Sequence, residues 1–172
     1  MPDGKTHDTI TIVGAVVAAP VWWLLTQEPR DYTVCATLVG SILFSGLMLS
    51  PDLDLDSSIY RRWGPLRFLW WPYQKLVPHR SILSHSLLGA LLRVVYFLVL
   101  VWGLSHLISW VAATAQLGHI RPLDSPLKTF QGLYQHERRH LDMGIIGLLI
   151  GTVLHTGADT IVSSLKRKRR RR

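Results

Sequence analysis

Long uncharged apolar stretches alternate with short polar ones along this chain. The first, Thr9 to Thr26, runs 18 residues without a charge, and the second, Tyr32 to Ser50, runs 19. The third, Ser86 to Trp110, covers 25 residues and is interrupted by Arg93 and His106. The fourth, Met143 to Leu165, covers 23 and is interrupted by His155 and Asp159. A helix rises about 1.5 Å per residue, so about 20 residues cross a bilayer core. None of the runs alternates as a strand would, and backbone hydrogen bonding in lipid favours helices. The pattern predicts an all-α fold: a polytopic membrane helical bundle of about four spanning helices, with short interfacial helices. Residues 1–165 read as one membrane-embedded metal-binding domain and 166–172 as a basic cytoplasmic tail. A soluble bundle of very apolar helices is the alternative. Gly14, Gly40, Gly46, Gly89, Gly144, Gly147 and Gly151 suit close packing between helices in lipid.

The polar stretch from Pro51 to His85 has a pattern of its own. Ile59, Trp63, Leu66, Trp70, Tyr73 and Val77 recur at steps of three and four, while Pro65 and Pro72 forbid one continuous helix. Two readings follow. In one, two short segments lie in the headgroup region with aromatics down and Arg61, Arg62, Arg67 and Lys75 toward lipid phosphates. In the other, the segments form an amphipathic cap over the bundle.

Charge adds orientation. The 172 residues are 48% hydrophobic and carry a net charge of +8, much of it in the tail from Lys166 to Arg172. Directly after an apolar helix, such a tail reads as a cytoplasmic anchor rather than a nucleic-acid arm. With four spans, the side holding both termini and the middle loop carries 13 Lys and Arg, against five on the other. That asymmetry places both termini in the cytoplasm. Ala18-Ala19 followed by Pro20 makes a poor signal-peptide cleavage site, so the first run reads as a retained anchor. One cysteine, Cys35, forms no internal disulfide and reads as a small buried hydrophobe.

The same topology gathers chemistry. His7 and Asp8 precede the first helix; Asp52, Asp54 and Asp56 follow the second; His79 and His85 lie at the entry to the third; His155 and Asp159 sit in the returning half of the fourth. All fall at the cytoplasmic end. His155 and Asp159 are four apart, on one helical face, where they can hold one metal jointly. Ionisable groups at such depth are costly unless paired or functional. The expected metal ligands are His7, Asp52, His79, His85, His155 and Asp159. Asp54 is an expected catalytic base or supporting carboxylate, and Arg93 either pairs with Asp159 or faces an anionic substrate group. Three carboxylates after a helix C-terminus need a cation, and an extended stretch would point all three one way. Ser81 or Ser84 would cap the third helix.

Two competing motifs bear on this. The Asp52-Leu53-Asp54-Leu55-Asp56 run lacks the glycine and terminal glutamate of a calcium loop, holding Ser57 and Trp63 there instead. His136-Glu137-Arg138-Arg139-His140 matches the helical zinc-protease signature, but two arginines flank the cation position and it falls on the opposite side. His106 and His119 read as structural.

Taken together, Ser50-Pro51-Asp52-Leu53-Asp54, Arg62-Trp63-Gly64-Pro65-Leu66, Trp71-Pro72-Tyr73, Pro78-His79-Arg80-Ser81, Ser84-His85-Ser86 and Arg93, with His7-Asp8, His155 and Asp159, resemble a bacterial family of uncharacterised metal-binding membrane proteins. Cyanobacteria supply many of its members, and the resemblance implies a bacterial inner membrane (plasma or thylakoid). The chain is more distantly similar to membrane-bound metal-dependent hydrolases, and its His-x-x-x-Asp pair to zinc-dependent phospholipases C. The resemblance implies a phosphoester or lipid-headgroup hydrolase. It extends to nothing between Trp110 and Leu141. Mixed imidazole and carboxylate donors suit one or two divalent ions, zinc first, with manganese or iron as alternatives. A non-catalytic protein with a structural metal is the second reading, and metal transport a third. Membrane lipid is an expected partner, nucleic acid is not, and the oligomeric state stays open.

Overall fold

Apolar length and local caps decide where the helices begin and end. The computed structural model describes residues 4–27, 31–77 and 86–169. Among these, all regular structure is helical. Helix α1 is Gly4–Leu25 and begins before the uncharged run, so His7 and Asp8 are on the helix rather than ahead of it. Helix α2, Tyr32–Leu47, starts where the Asp31 side chain accepts the Thr33 amide at 2.8 Å. The hydroxyl and amide of Thr33 hold the Asp31 carboxyl below the usual carboxylate range.

A Ser50 cap and Pro51 then start a tight 3₁₀ turn, Pro51–Asp54. Helix α3, Ser58–Arg62, a second 3₁₀ segment, Gly64–Trp70, and helix α4, Trp71–Leu76, follow. Gly64 takes φ 53°, the left-handed conformation that lets the chain turn between α3 and the segment after it. Helix α5, Leu87–Thr114, is capped by Ser86, which accepts the Gly89 amide, so the cap falls later than Ser81 or Ser84. Helices α6, Pro126–His136, and α7, Arg138–Arg169, are separated at Glu137.

The most extensive packing is between α2 and α7, with α1 against both. Glycine allows it. A Cβ on Gly147 would stand 2.6 Å from the Leu38 carbonyl oxygen, and one on Gly151 2.7 Å from that of Ile42. Ser45 Oγ donates to the Leu148 carbonyl at 2.8 Å in the same seam. Ala15, Trp22, Val34, Leu38 and Ile42 form the core of this three-helix unit.

The stretch from 55 to 77 folds as the cap of the second reading. Ile59, Trp70, Tyr73 and Val77 are buried with Leu49 and Leu53, against Tyr96 and Phe97 of α5. The Trp70 and Phe97 rings stack 6.5 Å apart, and Tyr96 Oη donates to the Leu69 carbonyl at 2.6 Å. The inward aromatics therefore serve the protein core, not lipid. Two of the expected lipid-facing arginines are likewise occupied: Arg61 holds Asp56 through two bonds of 3.0 Å, and Arg62 pairs with Asp8. The Arg61 bonds keep the Asp56 carboxyl below its ordinary range.

Four helical stretches, Gly4–Leu25, Tyr32–Asp54, Leu88–Thr114 and Arg138–Val162, are long and apolar enough to cross a membrane by length and composition.

Candidate metal centre

Three separate parts of the chain meet at one end of the bundle. Helix α1 contributes His7 in its first turn, the Pro51–Asp54 turn contributes Asp52, and α7 contributes His155 and Asp159. The imidazoles of His7 and His155 lie face to face, ring centroids 3.9 Å apart with 19° between planes. His7 Nε2 stands 3.4 Å from an Asp159 oxygen. His155 Nε2 stands 3.5 Å from Asp52 and 3.7 Å from the other Asp159 oxygen. One donor atom from each of His7, Asp52 and His155 lies within 4.8 Å of the other two.

Burial sharpens the meaning of these distances. The His7 and His155 side chains are 2% and 0% exposed, while those of Asp52 and Asp159 are 17% and 13% exposed. None of the four ring nitrogens, nor either Asp159 oxygen, makes a hydrogen bond among the described residues. Buried polar atoms left this way cost about 1–3 kcal/mol each, so native proteins rarely keep several together. A divalent cation resolves the cost. Two ligands about 2.1 Å from a shared tetrahedral ion sit about 3.4 Å apart; the His7–Asp159 and His155–Asp52 pairs are near that spacing, and the His7, Asp52 and His155 donors, within 4.8 Å of one another, would draw in around an ion. Two imidazoles and two carboxylates also supply the donor types that zinc, manganese and iron accept. These residues fit a metal.

The three aspartates diverge instead of pointing one way. A 3₁₀ turn advances about 120° per residue, so Asp52 and Asp54 leave it in different directions. Asp52 faces His155, Asp54 is buried near Arg93, and Asp56 is held by Arg61. Arg93 is fully buried, and its Nε donates to the Leu49 carbonyl at 2.8 Å. Its titratable neighbours are the Tyr73 phenol and the Asp54 and Asp52 carboxylates. Burial pushes the Tyr73 phenol above its ordinary range, with the guanidinium pulling partly back. Arg93 thus ties the end of α2 and the Asp52–Asp54 turn to α5, and Asp159 is engaged by the two histidines. His79 and His85 lie outside the described residues.

Sequence reading missed the supports. Gln74 donates to the Leu53 and Leu55 carbonyls at 3.1 and 3.3 Å, bracing the aspartate turn from α4. Arg62 joins Asp8 to the Leu47 carbonyl, locking the start of α1 beside the end of α2. Nothing in spacing marks Gln74. Asp8, one residue from His7, was the one visible clue to the other clamp.

The protease-like motif has no helix to sit on. Glu137 breaks between α6 and α7 with φ −132° and ψ 37°, so His136 and His140 do not share a helical face. His140 Nδ1 lies 3.0 Å from Glu137, and its Nε2 lies 2.9 Å from the Thr33 hydroxyl. The motif borders a cleft of about 300 Å³ that Asp31 also lines. His106 stays within its own helix, with Nδ1 3.0 Å from the Trp102 carbonyl.

The family model described as "Uncharacterized metal-binding protein (DUF2227)" matches residues 2–169. The chain belongs to this family. Family membership and the His/Asp/His cluster independently fit metal binding. A bacterial relative, an "Uncharacterized protein" of Aquifex aeolicus (strain VF5), is 38% identical over 69 residues, covering 40% of this chain and 48% of the relative. The match therefore spans about half of that relative's length. No solved structure matches the chain.

Proposed function

We propose that this member of the family is an integral membrane protein holding a divalent metal at its cytoplasmic end through His7, Asp52, His155 and Asp159. The observation that carries the reading is the buried group of His7, Asp52 and His155 donors within 4.8 Å of one another, its ring nitrogens without hydrogen bonds among the described residues. Three donors lie within 4.8 Å of one another, Asp159 stands beside both histidines as the fourth, and the mix of nitrogen and oxygen favours zinc, with manganese or iron as alternatives.

The membrane placement is supported by what the bundle leaves uncovered. Val16, Val17, Leu24 and Leu25 of α1, and Leu88, Leu91, Val99 and Ile108 of α5, are all exposed. So large an apolar exterior on helices of spanning length asks for lipid around it. The basic asymmetry of the sequence supports a cytoplasmic centre and tail.

A second reading is hydrolysis of a phosphoester or lipid headgroup, favoured by a donor set of the kind that holds a Lewis-acid ion. The ring nitrogens, both Asp159 oxygens and one Asp52 oxygen are buried, so a substrate would reach the ion only as neighbouring side chains move aside. A divalent ion there would supply Lewis-acid polarisation of a phosphoryl oxygen. Asp52 and Asp159 would hold the charge balance, and the histidines would fix position. Arg93 and Asp54 fit a clamp on the aspartate turn better than groups meeting substrate.

Membrane fractionation and elemental analysis test the first reading together. The protein should stay with membranes through alkaline carbonate and emerge in detergent with about one metal ion per chain. Release by carbonate, or purification without metal, overturns it. Turnover of phosphoester or phospholipid substrates by the metal-loaded protein, lost in Asp159→Asn, is the expected result of the second.

A further inference from the structure

The cap has two apolar faces, and the core uses one. Ile59, Trp70, Tyr73 and Val77 face inward and are at most 4% exposed. On the same short segments Leu66, Phe68, Trp71 and Leu76 are 51%, 63%, 60% and 74% exposed. Water alone does not select four large apolar side chains in eleven residues of a surface segment.

Charge along the segment itself has one sign. Between Ser57 and Val77 there are four basic residues and no acidic one. Arg61 and Arg62 are answered inside the protein, by Asp56 and by Asp8. Lys75 instead stands over the Trp71 ring, Nζ 5.7 Å from its centroid, and Arg67 is exposed beside Leu66 and Phe68, within through-space reach of Asp56.

Depth completes the argument. The cap does not sit on the tip of α5. Trp70 packs on Tyr96 and Phe97, and Phe97 is ten residues into a helix that starts at Leu87, about 15 Å along its axis. The cap therefore runs down the flank of a candidate span, to the level where headgroups and outer acyl chains would surround the bundle.

We propose that Leu66, Phe68, Trp71 and Leu76, with Arg67 and Lys75, form a seat for anionic phospholipid on the cytoplasmic leaflet. The apolar side chains enter the upper acyl layer and the two cations meet headgroup phosphates. The inference rests on the membrane placement proposed above and adds lipid charge preference. It also brings the metal centre's supporting turn, braced by Gln74 of the same α4, to the headgroup layer.

The experiment uses full-length protein in nanodiscs, with Cys35→Ala as background. Single cysteines at Phe68 and Leu76 carry an environment-sensitive fluorophore, with Asp56→Cys as the water-facing reference. The 68 and 76 labels should resist aqueous iodide and be quenched by shallow brominated lipid, while the 56 label shows the reverse. Native-lipid analysis should show phosphatidylglycerol retained over phosphatidylcholine, with Arg67→Gln and Lys75→Gln each lowering that preference about fivefold. Metal content per chain should be unchanged in both variants, which separates this seat from the metal site. Labels at 68 and 76 as open to iodide as the reference overturn the proposal. So does shielding from iodide without quenching by lipid, which would mean a second copy or another protein covers the patch. Unaltered lipid preference in both variants overturns it as well.

Discussion

Asp52 and His155 meet 3.5 Å apart, from a tight turn after the second helix and from the last helix of the chain. Their meeting closes the bundle end, because α7 otherwise contacts α2 along a seam of small residues. A carboxylate against a fully buried imidazole is a weak way to stabilise a fold and a good way to hold a cation.

Removing either member should therefore cost metal before it costs helix. We expect His155→Ala and Asp52→Asn each to lower metal affinity by more than about 100-fold, beyond the roughly 10–100-fold typical of supporting residues. His7→Ala should behave alike. Competition with a chelating dye measures the affinity, and far-ultraviolet circular dichroism should report unchanged helix content. Metal bound as tightly as in the parent would remove these residues from the ligand set.

Metal and stability should be linked. The centre joins α1, the aspartate turn and α7, so an ion bound there favours the folded state over any opened one. At a free metal concentration 100 times the dissociation constant the gain is about 2.7 kcal/mol. Thermal unfolding in detergent should shift down on chelation and recover on metal return. In His7→Ala the shift should vanish, since the site no longer distinguishes the two conditions.

Arg93 is expected to act on stability first. Its Nε bond to the Leu49 carbonyl and its place beside Tyr73 and Asp54 hold the aspartate turn from α5. Replacing one member of a buried charged set leaves the others uncompensated, at about 3–5 kcal/mol. Arg93→Met should lower thermal stability by that order and weaken metal binding about tenfold through Asp52. Arg93→Lys should recover little, because a single ammonium cannot reproduce the directed fork of a guanidinium. A fully stable Arg93→Met protein would count against the clamp.

The glycine seam gives a cleaner contrast. Gly147→Val and Gly151→Val would push side chains into the Leu38 and Ile42 carbonyls, whereas a Cβ added at Gly40 would meet nothing within 4 Å among the described residues. Overpacking of this kind costs about 1–3 kcal/mol, and against rigid backbone the upper end is expected. Gly40→Ala should be neutral or slightly favourable, since alanine suits a helix interior. Thermal unfolding of the three variants in one detergent decides it.

Much of this was legible in the chain because lipid-length helices advertise themselves. Four apolar runs gave the four long helices to within a few residues, and His155 with Asp159 followed from one helical step. The inward turn of Trp70 and Tyr73 was not legible. An amphipathic pattern states that one face is apolar but not whether protein or lipid covers it. The divergence of Asp52, Asp54 and Asp56 was hidden for a similar reason. Extended backbone and a 3₁₀ turn share a sequence, and only the Ser50 cap with Pro51 tips the choice. Gln74 acts through contacts set by tertiary packing, which no local pattern encodes.

The remaining motif supplies a control. His136, Glu137 and His140 look like a zinc-binding helix when written in a line, yet the chain bends at Glu137 and His140 turns to Glu137 and Thr33. Both ring nitrogens of His140 already have near neighbours at hydrogen-bonding distance, so an ion would have to displace them. His136→Ala and His140→Ala should leave metal stoichiometry and affinity at parent values. His140→Ala should instead loosen the contact between the start of α2 and the start of α7, read as faster amide exchange near Thr33. Loss of metal in either variant would move the site to the other end of the bundle and undo the assignment made from His7 and His155.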